Sequence, residues 1–213
     1  MEQKEYWDSV SETKTFTLPF DSERFSRYVS RDSAVADVGC GYGRVLKILQ
    51  DEGYRDLTGY DFSPLMIERG RRECPGIRFE VMVEGKIPME DGTADAVILF
   101  AVLTCIISDE EQEALVREIR RILKPGGILY VNDYLLGTDE RNLKRYAQYE
   151  KELGVYGAFT LPEGANCRHH TEEHIKNLFR DFEMKEYEHI VFTTMNGHQS
   201  PGFTYLGQKI IKT

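Results

Sequence analysis

The stretch Ala36-Asp37-Val38-Gly39-Cys40-Gly41-Tyr42-Gly43-Arg44 closes an apolar run with a carboxylate, then alternates glycine with other residues before a helical pattern begins. Glycine has no Cβ, so such a loop turns tightly and lets the backbone touch a ligand that a bulkier loop would hold away. Downstream, Gly59-Tyr60-Asp61-Phe62-Ser63 ends a second apolar run with another carboxylate. Placed there, it can accept two charge-assisted hydrogen bonds from a ribose diol. The two segments together describe a nucleoside pocket at the carboxyl ends of neighbouring strands.

A dinucleotide fingerprint reads G-x-G-x-x-G, whereas this chain reads G-x-G-x-G and carries Arg44 where the third glycine would fall. An acidic residue followed by G-x-G-x-G resembles the first motif of the class I S-adenosylmethionine (SAM) dependent methyltransferases. Leu123-Lys124-Pro125-Gly126-Gly127 resembles that family's turn into the fifth strand. The resemblance spans roughly residues 33–134. It implies an α/β, Rossmann-like, doubly wound sheet of seven strands, mostly parallel, with an antiparallel C-terminal hairpin strand and the order 3-2-1-4-5-7-6.

The rest of the chain agrees with that architecture. Short β-rich runs at 33–38, 56–61, 77–82, 94–100 and 128–134 alternate with amphipathic helical patterns, the rhythm of a parallel sheet covered on both faces. Ser63-Pro64 predicts a capped helix to about Glu73, and Ser108 to Glu111 reads as a capping box before another. Two long strands at 183–194 and 202–211, joined by a turn-rich segment, predict the terminal hairpin. Residues 1–30 read as an N-terminal lid and helix, and 31–213 as the SAM-binding domain with a substrate-cap insertion at about 137–170.

Composition narrows the function. The 213 residues carry 36 acidic and 27 basic side chains, a net charge of -9 that opposes binding to a polyanion. Arg69, Arg71 and Arg72, and likewise Lys144 and Arg145, are interleaved with acids and read as solvated faces. The expectation is no nucleic-acid partner. The four cysteines show no C-x-x-C pair, so neither a metal site nor a disulfide framework is expected. Without a leader-like start or a membrane-length apolar run, the chain reads as cytoplasmic, with no membrane partner, as a monomer or homodimer.

The resemblance also assigns residues. Asp37 would face the methionine end of SAM; Gly39, Cys40, Gly41 and Gly43 would form the loop beneath it. Asp61 would hold the ribose hydroxyls, with Phe62 and Met66 against the adenine or ribose and Phe100 beside the methionine part. Val83 and Glu84 fall where many relatives read the adenine, and Cys105 stands where many carry a histidine. For the acceptor, His169 and His170 are the candidate bases, at most one of them facing the pocket, since neighbours in an extended chain point opposite ways. Asp133, Tyr134, Tyr146 and Arg168 are candidate substrate contacts, with Glu163 as an alternative partner of Arg168. Tyr6, Trp7, Phe16 and Phe20 would cover the site. The activity implied is methyl transfer to a small-molecule acceptor. A noncatalytic SAM-binding protein and an NAD-dependent oxidoreductase are the alternatives.

Overall fold

The computed structural model describes residues 3–83, 85–194 and 197–211. Two short helices, α1 (Gln3–Ser9) and α2 (Ser22–Ser26), precede the alternating core. That core runs β1 (Ala34–Val38), α3 (Arg44–Asp51), β2 (Asp56–Asp61), α4 (Pro64–Glu73), β3 (Arg78–Val81), β4 (Ala94–Phe100), α5 (Asp109–Ile122) and β5 (Leu123–Tyr134). Next come α6 (Glu140–Leu153), a small hairpin of β6 (Ala158–Thr160) and β7 (Asn166–Arg168), α7 (Glu172–Leu178) and the long strands β8 (Phe182–Thr193) and β9 (Gln199–Lys209).

The main sheet has the order β3-β2-β1-β4-β5-β9-β8, parallel up to β5, with β9 antiparallel to both β5 and β8. This is the expected seven-stranded order, the strand numbers moved by the inserted β6–β7 pair. Two apolar layers sandwich it. Ala36, Val38, Val97, Leu99 and Val131 face α5 and α7, while Val35, Leu57, Ile98 and Tyr130 face α2 and α3. Alternation along β1 and β4 sends successive residues to opposite layers, as the twofold repeat of a strand requires.

Local signals account for the element ends. Ser63 accepts from Met66 N at 3.1 Å with proline in the first turn of α4. Asp139 accepts from Asn142 N, and Gly154 ends α6 with φ +74°. Ser108 accepts from Glu111 N at 3.3 Å, but the return leg of the box is replaced by its own hydroxyl donating to Glu110 Oε2 at 2.7 Å. β5 begins at Leu123, five residues ahead of the expected start. Leu123 pairs with Ala94 and Ile128 with Ala96, so the L-K-P-G-G segment is an irregularity within the strand.

Candidate functional site

The glycine loop is built by what a Cβ would strike. At Gly39, with φ +74°, an added Cβ would lie 2.4 Å from Val102 Cγ2; at Gly41, with φ +55°, it would lie 2.5 Å from the Phe16 ring. Gly39 N and Cys40 N both donate to Tyr60 O, at 2.7 and 3.0 Å, locking the loop to the end of β2. Asp61 then fixes it from the side: Gly41 N donates to Oδ2 at 2.8 Å and Ser63 N to Oδ1 at 2.9 Å. Burial raises the Asp61 carboxyl to about 6 even though these amides favour the anion. Asp37 is also buried, and its Oδ1 has no hydrogen-bond partner among the described residues. Loss of solvation pushes it up to about 7, partly offset by Arg44.

A cavity of about 230 Å³ opens above this loop. Asp37, Gly39, Cys40, Gly41, Asp61, Phe62, Met66 and Phe100 all line it. Gly43 does not. An added Cβ there would sit 2.5 Å from the Phe79 ring, so this glycine lets α3 pack against β3. The Cys40 thiol is buried, held above its ordinary value by desolvation, and donates to Gly41 O at 3.3 Å; it fills space. Ala101, just past β4, also lines the cavity and has φ +56°, a left-handed conformation that costs a non-glycine residue about 1–2 kcal/mol.

The N-terminal segment forms part of the wall through Tyr6, Trp7, Lys14, Phe16, Thr17 and Leu18. Phe16 stacks on Tyr42 (centroids 5.1 Å apart, planes 3° apart), and Arg69 lies 3.8 Å over the other partner of that stack, the Tyr42 ring. Arg69 Nη1 donates to Ser11 O at 2.7 Å and Lys14 O at 2.8 Å. Gln3 fastens the start of α1, donating to Cys105 O and Asn166 O at 2.9 Å and accepting from Asn166 N at 3.1 Å. Phe20 goes elsewhere, packing edge-on against Tyr130 at 5.2 Å beneath the sheet.

The opposite end of the cavity is made by the tip of β5 and the inserted elements. Tyr134 stacks on His169 with centroids 5.2 Å apart, and Phe159 meets the same imidazole edge-on at 5.1 Å. Tyr146 Oη lies 2.7 Å from His169 Nδ1 and accepts from Gly137 N at 3.2 Å. An Arg145 Nη2–H points at His169 Nε2 at 3.5 Å, which only a lone pair can meet, so we assign the ring proton to Nδ1, donated to Tyr146. Desolvation, with Arg145 adding to it, holds His169 well below the ordinary histidine value, so the ring is neutral at pH 7.

Several expected site residues stand outside the cavity. His170 sits between Gln112 Nε2, 2.8 Å from its Nε2, and Tyr134 O; burial pushes it down to about 3. Arg168 donates to Ile107 O at 2.7 Å and Asp109 Oδ1 at 2.5 Å, tying β7 to α5, while Glu163 instead faces Lys14 at 3.8 Å. Asp133 accepts from Tyr134 N and Thr104 N, capping the 3-10 turn at Leu103–Cys105 from a fully buried position that raises it to about 7. Tyr146 touches His169 from behind without reaching the cavity. Val83 is 65% exposed and away from the cavity, and Glu84 lies outside the described residues.

Arg71, Arg72 and Lys144 are exposed, as their interleaving with acids predicts, but the same interleaving misled the reading of Arg69 and Arg145. Arg69 is a mostly buried strap, Arg71 donates to Phe79 O at 2.6 Å, and Arg72 pairs with Glu12 at 2.8 Å. Arg145, read as part of a solvated face, lines the cavity, its guanidinium 3.5 Å over the Phe159 ring. Lys14, Arg44, Arg141, Cys105 and Cys167 also line it. For Arg141 and Arg145 the available signal was their spacing of four on α6, which puts both on one helix face.

Sheet order, glycine loop and paired strand-end carboxylates define a class I SAM-dependent methyltransferase domain. The sequence pattern of the methyltransferase domain family matches residues 36–131. A SAM-dependent methyltransferase from Methanosarcina mazei has the same fold, with a TM-score of 0.85 at 24% identity, over 92% of this chain and 100% of that one. Carboxy-S-adenosyl-L-methionine synthase of Chromohalobacter salexigens is 29% identical over 60% of this chain and 51% of its own. Human tRNA N(3)-cytidine methyltransferase is 28% identical over 74% of this chain and 43% of its own. The chain thus spans about half the length of these two curated relatives. No helix among the described residues is long and apolar enough to cross a membrane.

The residues present fit SAM as the cofactor. Asp37 offers an orphaned buried acceptor to a cation, Asp61 retains lone pairs for a diol beyond its two amides, and the loop surface at Gly39 and Gly41 leaves no room for side chains.

Proposed function

We propose that the protein methylates a small-molecule acceptor that enters the covered end of this cavity. The observation that carries the reading is the continuity of one cavity from the Asp37–Asp61 end to the Tyr134–His169 end, with aromatic side chains of the N-terminal segment over it. A cavity of about 230 Å³ walled by Tyr6, Trp7 and Phe16 suits a compact acceptor better than a polynucleotide. The net charge of -9 and the engagement of Arg69, Arg71 and Arg72 within the protein support the same choice.

When bound, the sulfonium supplies an activated methyl group to an acceptor atom aligned behind it. The chain's contribution is position and dryness. Asp37 and Asp61 fix the two ends of the nucleoside and amino-acid portions, and Phe62 and Met66 give apolar contact. Within the expected 1–30 segment the stretch from Tyr6 to Leu18 acts as the lid, with 137–170 as the cap, and together they exclude water. Alignment of this kind is worth up to roughly 7–11 kcal/mol relative to a bimolecular encounter. His169 Nε2 is the atom that takes a proton from an acceptor hydroxyl or ammonium once the long Arg145 Nη2 contact to it is exchanged for the acceptor, with Tyr146 holding the tautomer. Cys105 cannot serve, because burial keeps its thiol protonated.

The test is calorimetric titration with SAM, S-adenosylhomocysteine and NAD, followed by incubation with methyl-labelled SAM and either a small-molecule pool or total tRNA. Micromolar binding of the first two ligands and label in the small-molecule arm support the proposal. Binding of NAD alone, or label confined to tRNA, overturns it.

A further inference from the structure

The cavity is electrically bipolar. Asp37 and Asp61, partly offset by Arg44, stand at the cofactor end, whereas Lys14, Arg141 and Arg145 line the other, opposed among the described residues by Glu163. Such a surplus of cations is unusual in a chain with a net charge of -9. Two of them have partial partners: Lys14 donates to Tyr6 Oη at 2.9 Å and faces Glu163, and Arg141 lies 3.9 Å from Asp139.

Arg145 is different. Its guanidinium carbon lies 3.5 Å over the centre of the Phe159 ring, its Nε is buried without a hydrogen-bond partner, and it forms no ion pair among the described residues. Its nearest polar neighbour in the cavity, His169, is neutral and 3.5 Å away. Desolvation lowers the arginine's pKa, which is the signature of a cation stripped of water without a counter-charge. Among the described residues its only polar contacts are neutral side chains, Tyr146 and a long 3.5 Å approach to His169, and a planar fork of donors without a counter-charge beside aromatic rings matches a planar carboxylate, which accepts two parallel N–H bonds.

We propose that Arg145, with Arg141 beside it, binds the carboxylate of a small aromatic acceptor whose ring lies against Tyr134 and Phe159. This rests on the acceptor-site reading above and names its substrate class. It also gives the arginine pair a reason to face inward. Seated there, the carboxylate neutralises the charge that helps keep His169 from accepting a proton, so acceptor binding prepares the base.

The experiment titrates the protein with benzoate and its neutral isostere benzamide, with and without S-adenosylhomocysteine, using wild type, Arg145→Met and Arg141→Gln. Benzoate is expected to bind about tenfold or more tighter than benzamide. Arg145→Met should abolish that preference and Arg141→Gln reduce it, with S-adenosylhomocysteine affinity unchanged within about twofold in both. Equal binding of the two probes, or binding of neither, overturns the proposal. So does a variant that loses S-adenosylhomocysteine and keeps the benzoate preference, since the arginine would then serve the cofactor's own carboxylate. Failure of the wild type to bind S-adenosylhomocysteine condemns the methyltransferase reading instead, while the benzoate arm measured without it still decides the carboxylate preference. Should Arg145→Met not fold, the wild-type comparison and Arg141→Gln settle the matter.

Discussion

The Tyr146 hydroxyl stands 2.7 Å from His169 Nδ1 and accepts from Gly137 N as well, so one buried oxygen joins α6, the link that follows β5 and the residue after β7. Tyr146→Phe removes a structural hydrogen bond and the group that sets the imidazole tautomer. Two buried polar groups lose their partner, lowering the unfolding free energy by about 1–3 kcal/mol, read as a lower denaturation midpoint. Turnover of an identified acceptor should fall more than SAM affinity does, with the acid limb of the kcat profile displaced. An unshifted profile with only lost stability would reduce Tyr146 to a packing residue.

His169 and His170 separate cleanly in the same assay. His169→Ala should lower kcat roughly 10²–10⁴-fold if it removes the proton, with little change in SAM binding. His170→Ala opens a buried site against Gln112 and Tyr134 O, so it should lower the melting temperature and leave kcat per folded molecule nearly intact. The reverse pattern would exchange their roles.

Why the sequence told so much about one end of the cavity and so little about the other is a matter of backbone against side chain. Gly39, Gly41 and Asp61 work through main-chain geometry at strand ends, and positions of that kind leave a local mark in sequence. The acceptor end is assembled from Lys14 of the N-terminal segment and from Arg145, Phe159 and His169, which sit on three different elements of the insertion and meet only through tertiary packing. Adjacent acids made Arg69 and Arg145 look solvated, and nothing local records that each lies against an aromatic ring. Asp133 and Arg168 read as candidate substrate contacts, but nothing local marked them as the braces of a turn and a helix start.

The buried carboxylates give a pH signature whose sign is opposite to that of an ordinary salt-bridged acid. Asp37 at about 7, Asp61 at about 6 and Asp133 at about 7 all sit above the ordinary carboxylate value because burial disfavours the anion. Between about pH 4 and 7 the native protein holds protons that the unfolded chain has released, so these groups make stability fall as pH rises through that window. The ligand-free protein should therefore melt higher at about pH 5 than at about pH 8, and Asp37→Asn should flatten the slope. A slope unchanged by that substitution would show that Asp37 does not carry the proton.

Ligand binding reverses the local balance. An ammonium near Asp37 and a diol on Asp61 favour the anions, so SAM binding at about pH 6 should expel protons, and its affinity should rise from about pH 5 to 8. Calorimetry in two buffers of different ionisation heat reads the proton count directly. Asp61→Asn is the milder variant, because its single acceptor oxygen keeps one of the bonds from Gly41 N and Ser63 N, whereas alanine frees both and loosens the loop further. It should weaken SAM binding by about tenfold to a hundredfold; unchanged affinity would remove Asp61 from the ribose.

Arg69 controls whether the N-terminal segment stays down. Its guanidinium lies on the face of Tyr42 while donating to Ser11 O and Lys14 O, so one side chain of α4 clamps the path between α1 and Phe16. Arg69→Met keeps the apolar stem and removes both charged hydrogen bonds, each worth about 1.5–3 kcal/mol. The segment should open more often, because local opening reflects the bonds that hold that segment rather than global stability. Limited trypsin digestion should then cut after Lys14 about 10- to 100-fold faster, with S-adenosylhomocysteine restoring protection if the segment closes over the cofactor. Equal cleavage rates in wild type and variant would mean that the Phe16–Tyr42 stack and Gln3 hold the segment without Arg69.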